Sequence, residues 1–166
     1  MDRWIDRSFV KYLKNQFQID WNGFHGGAHW ARVKQNARLL AKKCEENGAT
    51  VDYDVLDLFA ILHDHKRENE GYDIEHGKRA ADTLHFYSGR FFQLPDQAFT
   101  ELWTACAYHS DGRKEDSSIN VRICWDADRL DLYRVGVMPN PKYLCTDEAK
   151  KQTFIEAAVK RSLRQK

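Results

Sequence analysis

Proline is scarce: the 166 residues hold three, Pro95, Pro139 and Pro141, all in the second half of the chain. Strand signals are scarcer still, with no sustained alternation of apolar and polar residues. No apolar run approaches the roughly 20 residues that a helical membrane span needs, which argues against a membrane protein. The opening Met1-Asp2-Arg3-Trp4-Ile5-Asp6-Arg7 interleaves charges with apolar residues. It reads as amphipathic helix and not as a signal core. The four cysteines, Cys44, Cys106, Cys124 and Cys145, show no C-x-x-C spacing; free thiols in a reducing cytoplasm are the expectation. Net charge is also missing. A formal charge of +1 sets up no strong field to recruit nucleic acid or an anionic membrane, though local phosphate binding needs only a few well-placed cations.

What is present is enough for one domain with a full core. A chain of this length buries about 70% of the surface it exposes when unfolded. Trp4, Ile5, Phe9, Val10, Tyr12, Leu13 and Phe17 fall at helical spacing, so residues 3–17 are expected to form a helix. Gly23, Gly26 and Gly27 interrupt the pattern. A long helix then carries His29, Val33, Ala37, Leu40, Ala41 and Cys44 at three and four, and Gly48 ends it. Asp52 or Asp54 caps the next helix, whose stripe Val55, Leu58, Phe59 and Leu62 runs into His63. Residues 66–73 read as a loop. Helical spacing resumes near Ile74 with His76, Ala80 and Leu84 on one face, and Pro95 opens a helix through Leu102 and Cys106 to His109. Asp111-Gly112 starts a charged loop, residues 121–133 are expected to be helical, and Pro139 and Pro141 mark a turn. An amphipathic helix over 147–163 closes the chain. The expected fold is all-α, a single helical bundle divided as 1–22 (N-terminal helix), 25–146 (core) and 147–166 (C-terminal helix).

Seven histidines stand at 25, 29, 63, 65, 76, 85 and 109. A lone histidine is usually structural, but three placements here point further. His29 lies on the apolar stripe of its helix. His63-Asp64 closes a hydrophobic helix, an expensive place for an unpaired imidazole and carboxylate. Asp126 follows the mostly apolar run Val121-Arg122-Ile123-Cys124-Trp125 and opens Asp-Ala-Asp-Arg-Leu-Asp. A divalent cation satisfies several such groups at once. A set of imidazoles and carboxylates without thiolate suits Mn, Fe, Co, Ni or Zn.

His29-Trp30-Ala31-Arg32-Val33, Leu62-His63-Asp64 and Trp125-Asp126-Ala127-Asp128-Arg129-Leu130-Asp131 together resemble the H…HD…D signature of the HD superfamily of metal-dependent phosphohydrolases. The likeness is to small bacterial HD-domain proteins. It runs from His25-Gly26 through Glu75-His76-Gly77 and His109-Ser110-Asp111-Gly112 to Leu144-Cys145-Thr146. It implies a helical HD bundle with the metal between central helices and His29, His63, Asp64 and Asp126 as ligands. Some members hold a second metal on extra histidines. His76 and His109 fall at suitable places, so a dinuclear centre bridged by Asp64 is the expectation. The open alternatives are a surface position for His76 and a substrate contact for His109.

The implied activity is hydrolysis of a phosphate ester or anhydride, in a nucleotide or small phosphorylated metabolite, by metal-activated water. Asp64 and Asp128 are the implied catalytic carboxylates, with Asp128 either a general acid or base or an orienting partner of a ligand histidine. Lys66, Arg67 and Arg129 lie beside ligand positions as candidate substrate cations. Arg129 is as readily a brace to Asp126, Asp128 or Asp131, and Arg32 reads as a structural salt bridge. Trp21, Phe24 and Trp30 read as core before they read as a stacking surface for a base. His25 faces the site or caps the helix; His65 and His85 read as incidental. Two other functions fit the same residues: a di-iron oxygenase, and a catalytically silent nucleotide-binding sensor.

Overall fold

The computed structural model describes residues 7–115 and 118–163. The beginning of the expected N-terminal helix, with Trp4 and Ile5, lies outside the described residues. So do parts of the charged loop and of the C-terminal segment. Helix α1, Arg7–Gln16, buries Phe9 and Leu13; Phe9 stacks on Phe91 with ring centroids 4.5 Å apart. Gly26 then caps α2, Gly27–Glu46. The chain approaches itself closely there, because a Cβ on Gly26 would stand 1.9 Å from the carbonyl oxygen of Trp21. At its far end Gly48 takes φ +89°, a left-handed turn that stops the helix at no steric cost.

Asp52 caps α3, Tyr53–Leu62, by accepting from the backbone N–H of Asp54 at 2.9 Å. Every residue of α3 from Val55 to Leu62 is buried, so it is the central helix of the bundle. Helices α4, His76–Asp82, and α5, Leu84–Tyr87, are separated by Thr83. Thr83 turns its hydroxyl back onto the Ala80 carbonyl at 2.7 Å, which competes with the helical ladder. The continuous face expected from Ile74 to Leu84 is therefore split, and it starts at His76. Pro95 precedes α6, Asp96–Tyr108, and Ser118 caps α7, Ile119–Arg129.

Two further departures concern the chain after α7. The helix expected to reach Tyr133 ends at Arg129, where the Asp131 N–H bonds to the Asp128 carbonyl and the chain tightens into a 3-10 turn over Leu132–Val135. A second such turn covers Pro141–Tyr143. The closing helix is two helices, α8, Asp147–Lys150, and α9, Gln152–Leu163, with extended backbone at Lys151. Two anchors pull them apart. Thr146 ties the start of α8 to Asp126 at 2.7 Å, while Ser162 near the end of α9 donates to Asp131 at 2.8 Å.

Helix α2 packs on α3 and α7, α3 on α6 and α7, and α4 on α6. One hydrophobic core runs through them, including Phe59, Leu62, Leu102, Ile123 and Trp125. Trp125 is fully buried, and its indole N–H donates to the Ala105 carbonyl at 3.1 Å. Among the described residues the extended pairing amounts to one isolated bridge, Ser88 with Phe92. The all-α expectation holds. No helix among the described residues is long and apolar enough to cross a membrane.

Candidate metal centre

Four buried histidines meet where α2, α3, α4 and α6 converge. Three of them follow or open a helix, and each uses a nearby carbonyl. The Nδ1 of His63 bonds to the Phe59 carbonyl at 3.1 Å, that of His109 to the Cys106 carbonyl at 2.8 Å, and that of His76 to the Asp73 carbonyl. A carbonyl only accepts, so Nδ1 carries the proton in all three, and the neutral ring has a bare lone pair at Nε2. His29 is fixed the same way by a carboxylate: its Nδ1 lies 2.7 Å from Asp131 Oδ2.

All four Nε2 atoms turn inward. Those of His29 and His63 are 3.0 Å apart, and those of His76 and His109 are 2.8 Å apart. Asp64 stands between the pairs. Its Oδ2 is 3.6 Å and 3.7 Å from His29 and His63, and its Oδ1 is 3.1 Å and 3.4 Å from His76 and His109. Asp128 Oδ1 closes the first pair at 3.4 Å from His29 and 3.9 Å from His63. Lone pairs facing lone pairs and carboxylate oxygens repel unless positive charge lies between them. Two overlapping ligand sets, His29–His63–Asp64 and Asp64–His76–His109, have the spacing to hold a metal ion. The donor set fits hard-to-borderline divalent ions and includes no thiolate; the four cysteines are free.

Charge and burial oppose each other throughout the cluster. Burial pushes His63 down to about 3, against the pull of Asp64 and Asp128. Burial would raise Asp64, but His63 beside it and donation from Nε2–H of His109 and His76, when those rings are protonated, hold its carboxyl well below the usual range. Asp128 is likewise held well below that range, because donation from the His29 Nε2–H, when that ring is protonated, and the charges of His63 and Arg134 outweigh burial. His109 moves upward: burial lowers it, but its hydrogen bond to Asp64 and the charge of Asp128 prevail. The cluster thus attracts positive charge of its own accord.

Asp126 departs from the expected ligand set. Its Oδ1 accepts from the Cys145 N–H at 2.6 Å, and its Oδ2 from the Thr146 N–H and hydroxyl at 2.8 Å and 2.7 Å. Those bonds turn it toward the start of α8, and burial outweighs them to raise its pKa. The carboxylate that α7 presents to the histidines is Asp128. Nor does Asp128 orient a ligand ring through Nδ1; Asp131 does that for His29, while also accepting from Arg32 Nε at 2.7 Å. The salt bridge expected of Arg32 is this one.

The candidate substrate cations divide. Arg67 donates to Asp64 Oδ1 at 3.2 Å and lines a cavity of about 320 Å³ beside the histidines. Arg129 also lines that cavity, but its guanidinium is spent on the carbonyls of Tyr143 and Arg113. It braces backbone, and among the described residues it makes no direct salt bridge to Asp126, Asp128 or Asp131, though its charge acts on Asp126. Lys66 is not among the residues lining the cavity.

Sequence reasoning passed over Arg134 and Glu70. Arg134 lines the cavity, donates to the carbonyls of Phe24 and Asp131, and has Nη2 4.0 Å from Asp128 Oδ1. His25 lines it too, with Nδ1 held 2.6 Å from Glu70 Oε2. A signal for Arg134 existed in its spacing, one turn after Asp131. Glu70 had none, since it sits in a loop.

Trp30 is buried and packs edge-on against Phe17 and Trp21, whereas Phe24 is 56% exposed. His65 is bonded to Leu62 and Tyr87, and His85 packs on Phe99; neither belongs to the two ligand sets. No protein-family model, curated protein or solved structure matches the chain.

Proposed function

We propose that this protein is a dinuclear metal-dependent phosphohydrolase of the HD type, with His29, His63 and Asp128 on one ion, His76 and His109 on the other, and Asp64 bridging. The observation that carries the reading is Asp64: one oxygen faces one histidine pair and the other oxygen faces the second pair. Four imidazoles and two carboxylates suit Mn, Fe, Co, Ni or Zn. Bound there, divalent ions supply a water of lowered pKa and neutralise charge on phosphoryl oxygens.

The chain's own side chains do the rest. Arg67 and Arg134 enter the cavity with their Nε and Nη1 groups engaged. Among the described residues no hydrogen bond engages Nη2 of either one. Those amino groups bind the substrate's non-bridging oxygens, as paired guanidiniums do well. His25 is the cavity imidazole outside both ligand sets. With Nδ1 donating to Glu70, its Nε2 keeps a lone pair that takes a proton from the attacking water and passes it to the leaving oxygen.

The substrate is a phosphate ester or anhydride small enough for a cavity of about 320 Å³. The test is a screen of phosphomonoesters and nucleotides with metal-reconstituted protein, run beside an oxygen electrode. Hydrolysis abolished by chelator and by Asp64→Ala supports the reading. Oxygen uptake without phosphate release replaces it with a di-iron oxygenase, and nucleotide binding without turnover replaces it with a sensor.

A further inference from the structure

The cavity has a second character beside its charged one. Its lining includes Leu132, Val135 and Tyr143, and large apolar surface is left open there: Val135 is 42% exposed and Tyr143 54%. Val137 and Met138, more than half exposed, continue the same stretch of chain. Most of the remaining polar lining is already spent. Arg129 is committed to carbonyls and His25 Nδ1 to Glu70, which leaves the hydroxyls of Ser110 and Tyr143.

This wall is also held in place. Leu132 and Val135 lie on one 3-10 turn packed against α9. Gly136 at φ +80° lets the chain reverse, so that the Val137 N–H bonds to the Leu132 carbonyl at 3.2 Å. A fixed apolar wall costs little ordering when it binds. A sugar or polyol laid on it would lose water hydrogen bonds and find few replacements, whereas an apolar group would gain by leaving water.

We infer that the ligand of this site joins a phosphoryl group to an apolar organic group, with the phosphoryl end on Arg67 and Arg134 and the apolar end on Leu132, Val135 and Tyr143. The inference rests on the phosphoryl-binding part of the proposed function and narrows its substrate class.

The test is calorimetric binding of phenylphosphonate and methylphosphonate to the metal-loaded protein, which needs no turnover. Phenylphosphonate is expected to bind about tenfold tighter or better. Val135→Ser is expected to narrow that ratio at least about threefold, and the near-isosteric Val135→Thr to narrow it without altering the shape of the wall. Equal affinities, no binding of either probe, or a ratio untouched by both variants would overturn the inference.

Hydrolysis assays separate this result from the parent reading. Turnover of glycerol phosphate in preference to phenyl phosphate overturns the inference and leaves the hydrolase standing. Selective binding of phenylphosphonate with no ester turned over supports the inference and removes the hydrolase.

Discussion

Asp131 Oδ2 lies 2.7 Å from Nδ1 of His29, and both groups are almost completely buried. The carboxylate fixes the ring's tautomer, aims Nε2 at the cluster and makes it a better donor. Such outer partners typically change metal affinity by 10- to 100-fold. Asp131→Asn is therefore expected to weaken metal binding by about that factor. Competition with a chromophoric chelator measures it, with circular dichroism as the check on folding. An unchanged affinity would mean that His29 is oriented by packing alone.

Asp126 and Asp128 make opposite predictions. Asp126→Ala strands two backbone N–H groups and the Thr146 hydroxyl, at a cost of about 3 kcal/mol or more. The folded fraction should still take up metal. Asp128→Ala should lose affinity for metal with a smaller loss of stability. Urea denaturation and metal titration of both variants check this pair, and the reverse pattern would return Asp126 to the ligand set.

Why the sequence does not tell Asp128, which faces the histidines, from Asp126 is plain from α7. Nearly its whole circumference is buried, including Val121, Ile123, Cys124, Trp125, Asp126 and Ala127. Periodicity then gives no face to choose, and Asp-Ala-Asp puts a carboxylate on both sides. The fold class and the grouping of His29, His63 and Asp64 were readable because apolar stripes led into them. Glu70 was not, because it lies in a loop, where spacing no longer predicts direction; Arg134 offered only its place one turn after Asp131. The break at Lys151 has no proline or glycine to signal it and comes from tertiary anchors on Asp126 and Asp131.

Gly77 sets the distance between the helices carrying the second histidine pair. A Cβ there would stand 2.7 Å from the Cys106 carbonyl and 3.2 Å from the His109 ring. Gly77→Ala is expected to push α4 from α6 and separate His76 from His109, at a cost of about 1–3 kcal/mol. Metal analysis should find the second ion weakened or lost while the first is retained. Equal loss of both would indicate general unfolding instead.

Acid should destabilise the metal-free protein. Burial pushes His63 down to about 3 and His65 to about 4, whereas both return to about 6.5 in the unfolded chain. Folded values below unfolded ones mean that the unfolded chain takes up more protons as pH falls. Stability is then full above about pH 6.5 and declines between about 6.5 and 4, by about 1.4 kcal/mol per pH unit for each group. His109, raised against burial by Asp64 and Asp128, works in the opposite sense: its contribution grows as pH falls toward about 6.5 and is constant below that. Urea midpoints of chelator-stripped protein at pH 7.5 and 5 check the direction, and a flat profile would contradict it. Metal-loaded protein should fall further, since ligand imidazoles must be neutral to bind.

The central claim is that Asp64 bridges two ions, and metal content reads it most directly. Protein reconstituted with manganese or iron and freed of excess metal is expected to hold about two equivalents, as a two-ion hydrolytic centre requires. The Asp64→Ala variant should hold little of either ion. Two equivalents retained without the Asp64 carboxylate, or none bound by the parent protein after reconstitution, would contradict the account.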